Sequence, residues 1–236
     1  MKKVIHRAGT RGHSDHGWLD SYHTFSFADY HDPERIHFGA LRVLNDDTVA
    51  GGEGFGAHPH DNMEIVSIPL EGELRHQDSM GHTSVLRTGE IQVMTAGTGI
   101  IHSEFNNSPN RPVKFLQIWI FPDRHGLPTR YEEITLAPAR TNELRTLVAP
   151  EGNDSEHTAW IHQSAWFHTL GLERNTYEYA MRRQGNGLYV FVLEGDVTVE
   201  NEKLAPRDGM GIWEQNDITL HTDGKASLLL IEVPMR

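Results

Sequence analysis

Two segments of this chain repeat one another: VSIPLEGELRHQD (66–78) and YVFVLEGDVTVEN (189–201) each read as a strand, an LEG turn and a second strand. Each is followed by a glycine-centred turn into another apolar strand, RTGEIQVM and RDGMGIW. Glycine at such a turn supplies positive φ, so one LEG hairpin alone is an ordinary feature of β proteins. Recurrence of the turn with its flanking strands, in the same order, points to two copies of one barrel unit in tandem. Elsewhere helical periodicity is weak, and short apolar runs bounded by Gly, Asp, Asn and Pro recur, among them FGALRVLNDD, MEIVSIPLEGEL, EIQVMTAG, VKFLQIWIFP, DGMGIWEQ and ASLLLIEVP. The chain therefore reads as all-β, with many short antiparallel strands. The charged, Pro- and Thr-rich stretch from Leu127 to Glu151 reads as the connection, which divides the chain into units 1–135 and 136–236.

Composition narrows the chemistry. A chain of 236 residues buries a core without staples. Cysteine is absent, so disulfides, thiolate ligands and cysteine nucleophiles are excluded, and a metal would have to be held by nitrogen and oxygen donors. The basic tip MKKVIHR has no apolar stretch behind it, and no long uncharged apolar run follows, so the simplest address is the cytoplasm, with no membrane attachment. A net charge of -12, with Lys and Arg scattered singly, offers no footprint for a phosphate backbone, so direct nucleic-acid binding is disfavoured.

Sixteen histidines are many for this length, and spacing promotes only a few of them. His58-Pro59-His60 and His102-Ser103-Glu104 each place two donors at i and i+2, which on a strand project from one face. Side by side, two such strands would make a site of three imidazoles and one carboxylate. A lone HxH is a weak signal. Here, however, it follows the glycine-rich GGEGFG, and the second motif closes a strand that opens at Gly89, with Asn106 four residues after His102. The second unit carries nothing like HPH upstream of Leu193, and its only histidine after Trp213 is His221, so it reads as lacking a metal site of this kind.

The order of these motifs resembles that of the cupin superfamily, and HTFSFADY (23–30), FGALRVLNDD (38–47), GFGAHPHDNMEI (54–65), EGELRHQDSMG (71–81), MTAGTGIIHSEFN (94–106) and QIWI (117–120) resemble one cupin family, the pirins. The likeness is dense in the first half and survives in the second only as the barrel repeat. It implies a bicupin, two jelly-roll barrels face to face with metal in the first alone, and it implies His58, His60, His102 and Glu104 as metal ligands. Glu64 is a ligand position in many cupins, but in the pirin pattern that role passes to Glu104, which leaves Glu64 a neighbour or structural residue. The sequence also carries Thr95 where cupins often have proline.

By donor type, such a set suits Fe, Mn, Co, Ni, Cu or Zn about equally. The resemblance implies iron, most simply Fe2+. Four protein ligands on a six-coordinate ion leave two positions, whereas a tetrahedral zinc would leave none. Neutral imidazoles are required, so affinity is expected to fall as pH drops through roughly 6 to 5. Pirins of this kind include quercetinases, which open the flavonol C ring with dioxygen and release carbon monoxide. The resemblance thus implies a quercetin 2,3-dioxygenase-like oxidoreductase, with a flavonol-like small molecule and O2 as substrates and Glu104 doubling as general base. A rival implication is a non-enzymatic, redox-sensing regulator that docks on a protein partner. Other marked residues read more simply: Phe25 and Phe27 as one buried strand face, His23 as a hydrogen-bonded structural residue, His13 and His16 as a polar loop, Trp18, Trp119, Trp160, Trp166 and Trp213 as mostly core, and Phe55 as a pocket wall.

Overall fold

The computed structural model describes residues 1–152 and 155–235. In the first half, a seven-stranded sheet runs in the order Arg130–Thr135, Glu90–Thr95, Glu64–Glu71, Val113–Ile120, Leu41–Val49, Leu19–His23 and Gly12–Asp15. A four-stranded sheet faces it, in the order Gly54–His60, Ile100–Asn106, Glu73–Asp78 and Thr83–Arg87. The second half supplies eight strands of a nine-stranded sheet whose two long strands, Trp166–Ala180 and Asp217–Pro234, pair antiparallel along their length. Among the described residues no helix is long and apolar enough to cross a membrane.

The sequence repeat is a repeat of topology. Glu64–Glu71 lies between Glu90–Thr95 and Val113–Ile120, just as Asn186–Glu194 lies between Gly209–Trp213 and Asp217–Pro234. The LEG glycines hold equivalent places. Gly72 (φ 81) would put a Cβ 2.9 Å from the Pro112 carbonyl, and Gly195 (φ 70) would put one 1.9 Å from that of Lys225. Glycine is needed at both for conformation and for close approach.

Alternation along the central strands decides what each face meets. Val66, Ile68, Ile91, Val93, Leu116, Ile118 and Ile120 turn outward and pack on Leu147, Phe167, Phe191, Leu229 and Ile231 of the second half, forming the largest core. Burial on both faces explains why these strands read as nearly continuous apolar runs. The two interiors then differ. The second barrel is filled by Leu170, Leu188, Val190, Ile212, Leu220, Leu228 and their neighbours. The first has only small apolar clusters, one around Leu74, Leu86 and Phe115 and another around Ile65, Met94 and Ile100. Between them Ser67, Gln92, His102, Glu104 and Gln117 are buried polar residues.

Two expectations change. Residues 127–151 are not a plain connection: Arg130–Thr135 adds an edge strand to the first sheet and Leu144–Pro150 joins the second. Backbone groups on a buried sheet edge need partners, and this charged stretch supplies them despite its composition. HTFSF is not one strand face, because the strand ends at His23 and the chain bends. Phe25 enters the core between the halves, while Phe27 packs against His23 and Trp119. In addition, the first strand, Lys2–His6, crosses to pair with Gly209–Trp213 in the second sheet.

Candidate metal centre

Both HPH and HSE lie on strands, paired antiparallel with His58 opposite His102 and His60 opposite Ile100. Gly54 explains the glycine-rich approach, because a Cβ there would lie 2.3 Å from the Glu104 carbonyl oxygen. Only a bare backbone lets the two strands close at this point. A register shift between His102 and Glu104 then sets Glu104 opposite Phe55, and a bulge of this kind re-aims side chains.

The rings of His58, His60 and His102 converge, with centroid separations of 4.5 to 4.9 Å. Their candidate donor atoms all lie within 4.8 Å of one another. A second group at the same spacing joins His102 to Glu104 and to His76. The four residues expected from the sequence are thus divided between two groups that share His102: His58 and His60 lie in one, and Glu104 lies in the other with His76. His58 Nδ1 is 2.7 Å from the Gly56 carbonyl, which accepts its N–H and leaves Nε2 free. Both ring nitrogens of His102 are buried without a hydrogen-bond partner. Burial, reinforced by the neighbouring imidazoles, pushes His102 down to about 2; burial, with His58 adding to it, lowers His60 to about 4. These two rings are neutral at ordinary pH.

Glu104 receives 2.7 Å and 3.2 Å hydrogen bonds from Gln117 Nε2 and Ser67 Oγ. Burial nevertheless pushes its carboxyl up to about 7, against those two donors. Glu64 is fully buried, takes a 2.8 Å hydrogen bond from Thr95, and lies in neither group. Thr95 at the cupin proline position thus has a role as that donor.

The cluster opens into a cavity of about 330 Å³ between the two sheets, with Trp18, Phe27, Phe55 and Trp119 on its walls. Phe55 is a pocket wall as expected. The tryptophans depart from expectation: all five are only partly buried, and Trp119 meets His60 edge-on at 4.9 Å. His23 bonds Ser21 and also lines the cavity, as does His16; His13 is exposed, paired with Asp20 and stacked on Tyr22. In the second half, His221 has Asp223 two residues on, but that pair is exposed on the outer surface.

Sequence reasoning missed His76, Ser67 and Gln117. His76 is fully buried, 3.2 Å from Asp78, and stacked on Tyr131. His76 and Asp78 share the i, i+2 spacing that singled out HPH, and Gln117 stands two before Trp119 in QIWI, so a signal was present for both.

A family model described as Pirin matches residues 4–120, and one described as Quercetinase C-terminal cupin domain matches residues 146–233. A protein of Escherichia coli K12 named quercetin 2,3-dioxygenase is 40% identical over 233 residues, 98% of either chain. The crystal structure of the bacterial pirin YhhW of Escherichia coli in complex with nickel(II) superposes with a TM-score of 0.93, covering 100% of both chains at 38% identity. A quercetin 2,3-dioxygenase structure from Acinetobacter baumannii, at 22% identity, shares the fold with a TM-score of 0.82 over 98% of this chain and 86% of its own. By sequence along nearly its whole length, by domain order and by fold, this chain belongs to the pirin family of the cupin superfamily.

Proposed function

We propose that the protein is a metal-dependent dioxygenase of the quercetin 2,3-dioxygenase type, with His58, His60, His102 and Glu104 holding one divalent transition metal ion, Fe2+ by preference. The observation that carries this reading is the meeting of neutral imidazoles and a buried carboxylate on the wall of an aromatic-lined cavity. His102 supports the fit to a cation, since its two partnerless buried nitrogens are costly in an empty site and useful to a ligand set. The relatives point the same way: one carries the quercetinase name and another is a nickel(II) complex. We also propose the unit boundaries 1–135 and 136–236, with the metal in the first unit.

When bound, the ion supplies Lewis acidity, a template for substrate and a lowered hydroxyl pKa. The chain does the rest. Aromatic walls receive a planar substrate, Gln117 and Ser67 hold Glu104 in place, and Glu104 takes the proton of the flavonol 3-hydroxyl. Overall, both atoms of dioxygen enter the opened ring and one ring carbon leaves as carbon monoxide.

The test is quercetin absorbance in air with metal-loaded protein, together with carbon monoxide analysis of the headspace. Oxygen-dependent loss that requires His102 and releases carbon monoxide supports the reading. Bound metal with no oxygen consumed would move the protein to another cupin reaction or to the regulatory role. Glu104→Gln should lower turnover by about 10²- to 10⁴-fold while metal content changes little. Equal loss of both would reduce Glu104 to a ligand.

A further inference from the structure

The sheet facing the histidines carries a polar tile that the reaction described above does not use. Ser21 lies directly opposite Asp47, and His23 opposite Asn45, in the pairing of Leu19–His23 with Leu41–Val49. All four side chains are buried, and all four line the cavity. Within the tile, His23 Nε2 is 2.8 Å from Ser21 Oγ, and the Ser21 hydroxyl donates to Asp47 Oδ1. When Asp47 is ionised Ser21 gives it its one proton, so His23 donates through Nε2–H, which leaves its Nδ1 a lone pair. That Nδ1 and Asn45 Oδ1 are buried with no partner. Among the described residues only Ser21 donates to Asp47, so its second oxygen is also open.

Two buried acceptors without a partner, beside an open carboxylate oxygen, are rare unless something donates to them. The rest of the cavity defines the shape of that donor, since Trp18, Phe27, Phe55 and Trp119 form flat apolar walls. The match is a planar aromatic carrying a hydroxyl remote from the one that meets the histidine cluster. The interior of the second barrel is packed mainly with aliphatic side chains.

We infer that Asp47, with Ser21 and His23 behind it, is a specificity anchor that accepts a hydrogen bond from a second, distal hydroxyl of a polyhydroxylated aromatic substrate. The inference rests on the flavonol reading for the identity of the substrate class. It selects among flavonols: those with hydroxyls on an outer ring are preferred over those with the reacting hydroxyl alone.

The test compares quercetin with 3-hydroxyflavone, which keeps only the reacting hydroxyl, in the metal-loaded wild type and in Asp47→Asn. Burial pushes the Asp47 carboxyl up to about 7, so the comparison is made at pH 8, where the wild type should favour quercetin in kcat/KM by on the order of 10- to 100-fold, the range for a hydrogen bond to a charged acceptor. Asp47→Asn should collapse that ratio through the KM of quercetin. Equal loss on both substrates, or an unchanged ratio, overturns the anchor. If Asp47→Asn does not fold, Ser21→Ala carries the same comparison. If neither flavonol is turned over, the dioxygenase reading fails, and the anchor is decided by equilibrium binding of the same pair, read by quenching of tryptophan fluorescence. A quercetin preference erased by the substitution supports the anchor, and a preference absent from the wild type or surviving the substitution refutes it.

Discussion

Burial of Glu104 outweighs its two hydrogen-bond donors, Gln117 and Ser67, and pushes its carboxyl up to about 7 in the metal-free protein. A cation entering below that pH must displace a proton, and above it need not. Metal affinity should therefore level off above about pH 7 and fall about tenfold per pH unit below it. His60 and His102 do not compete in this window, because burial holds them neutral down to about 4 and about 2. The sequence alone placed the fall between roughly 6 and 5 and attributed it to imidazoles; burial, invisible in the sequence, removes His60 and His102 from that window and adds Glu104 at a higher pH. Metal titrations at several pH values check this, and Glu104→Gln should flatten the slope. An unchanged slope in that variant would return the effect to the histidines. HPH and HSE were legible because each motif places its donors on one strand face without help from the fold. The role of Ser67 was not, because it depends on strands that meet only through pairing.

At the scale of elements, the site depends on how closely two strands approach. Gly54–His60 and Ile100–Asn106 bring their backbones together at Gly54, where a methyl group would strike the Glu104 carbonyl. Gly54→Ala removes no ligand, yet it should push the strands apart and weaken metal binding by about tenfold or more, since ligand sets tolerate little displacement. Calorimetric titration with the metal measures this, and wild-type affinity in the variant would mean that the approach is not needed. The central strands and the LEG repeat could be read from apolar runs and turn residues. The extra strands at Arg130–Thr135 and Leu144–Pro150 could not, because their residues are charged or mixed and their pairing is decided by neighbouring sheet edges.

At the scale of the molecule, one barrel is filled and the other kept open, and the filled one supports the open one. The outward faces of the first barrel, including Val66, Ile68, Val93, Leu116 and Ile118, are buried only by packing on the second half. Lys2–His6 ties the first half into the second sheet as well. Residues 1–135 expressed alone should therefore aggregate or melt without cooperativity, while the full chain unfolds in one transition. A monomeric fragment with a sharp melt would show that the barrels are independent. The bicupin plan was visible in the sequence through its repeat, but the polar interior of the first barrel was not, since alternation shows which residues share a face and not which face lines a cavity. The most direct test of the central claim is oxygen uptake during quercetin turnover, normalised to the metal measured in the same sample, for wild type and His102→Ala. One dioxygen per flavonol, at a rate proportional to bound metal and lost with metal in His102→Ala, is the predicted result. Turnover that ignores metal occupancy, or full occupancy and activity without His102, would contradict it.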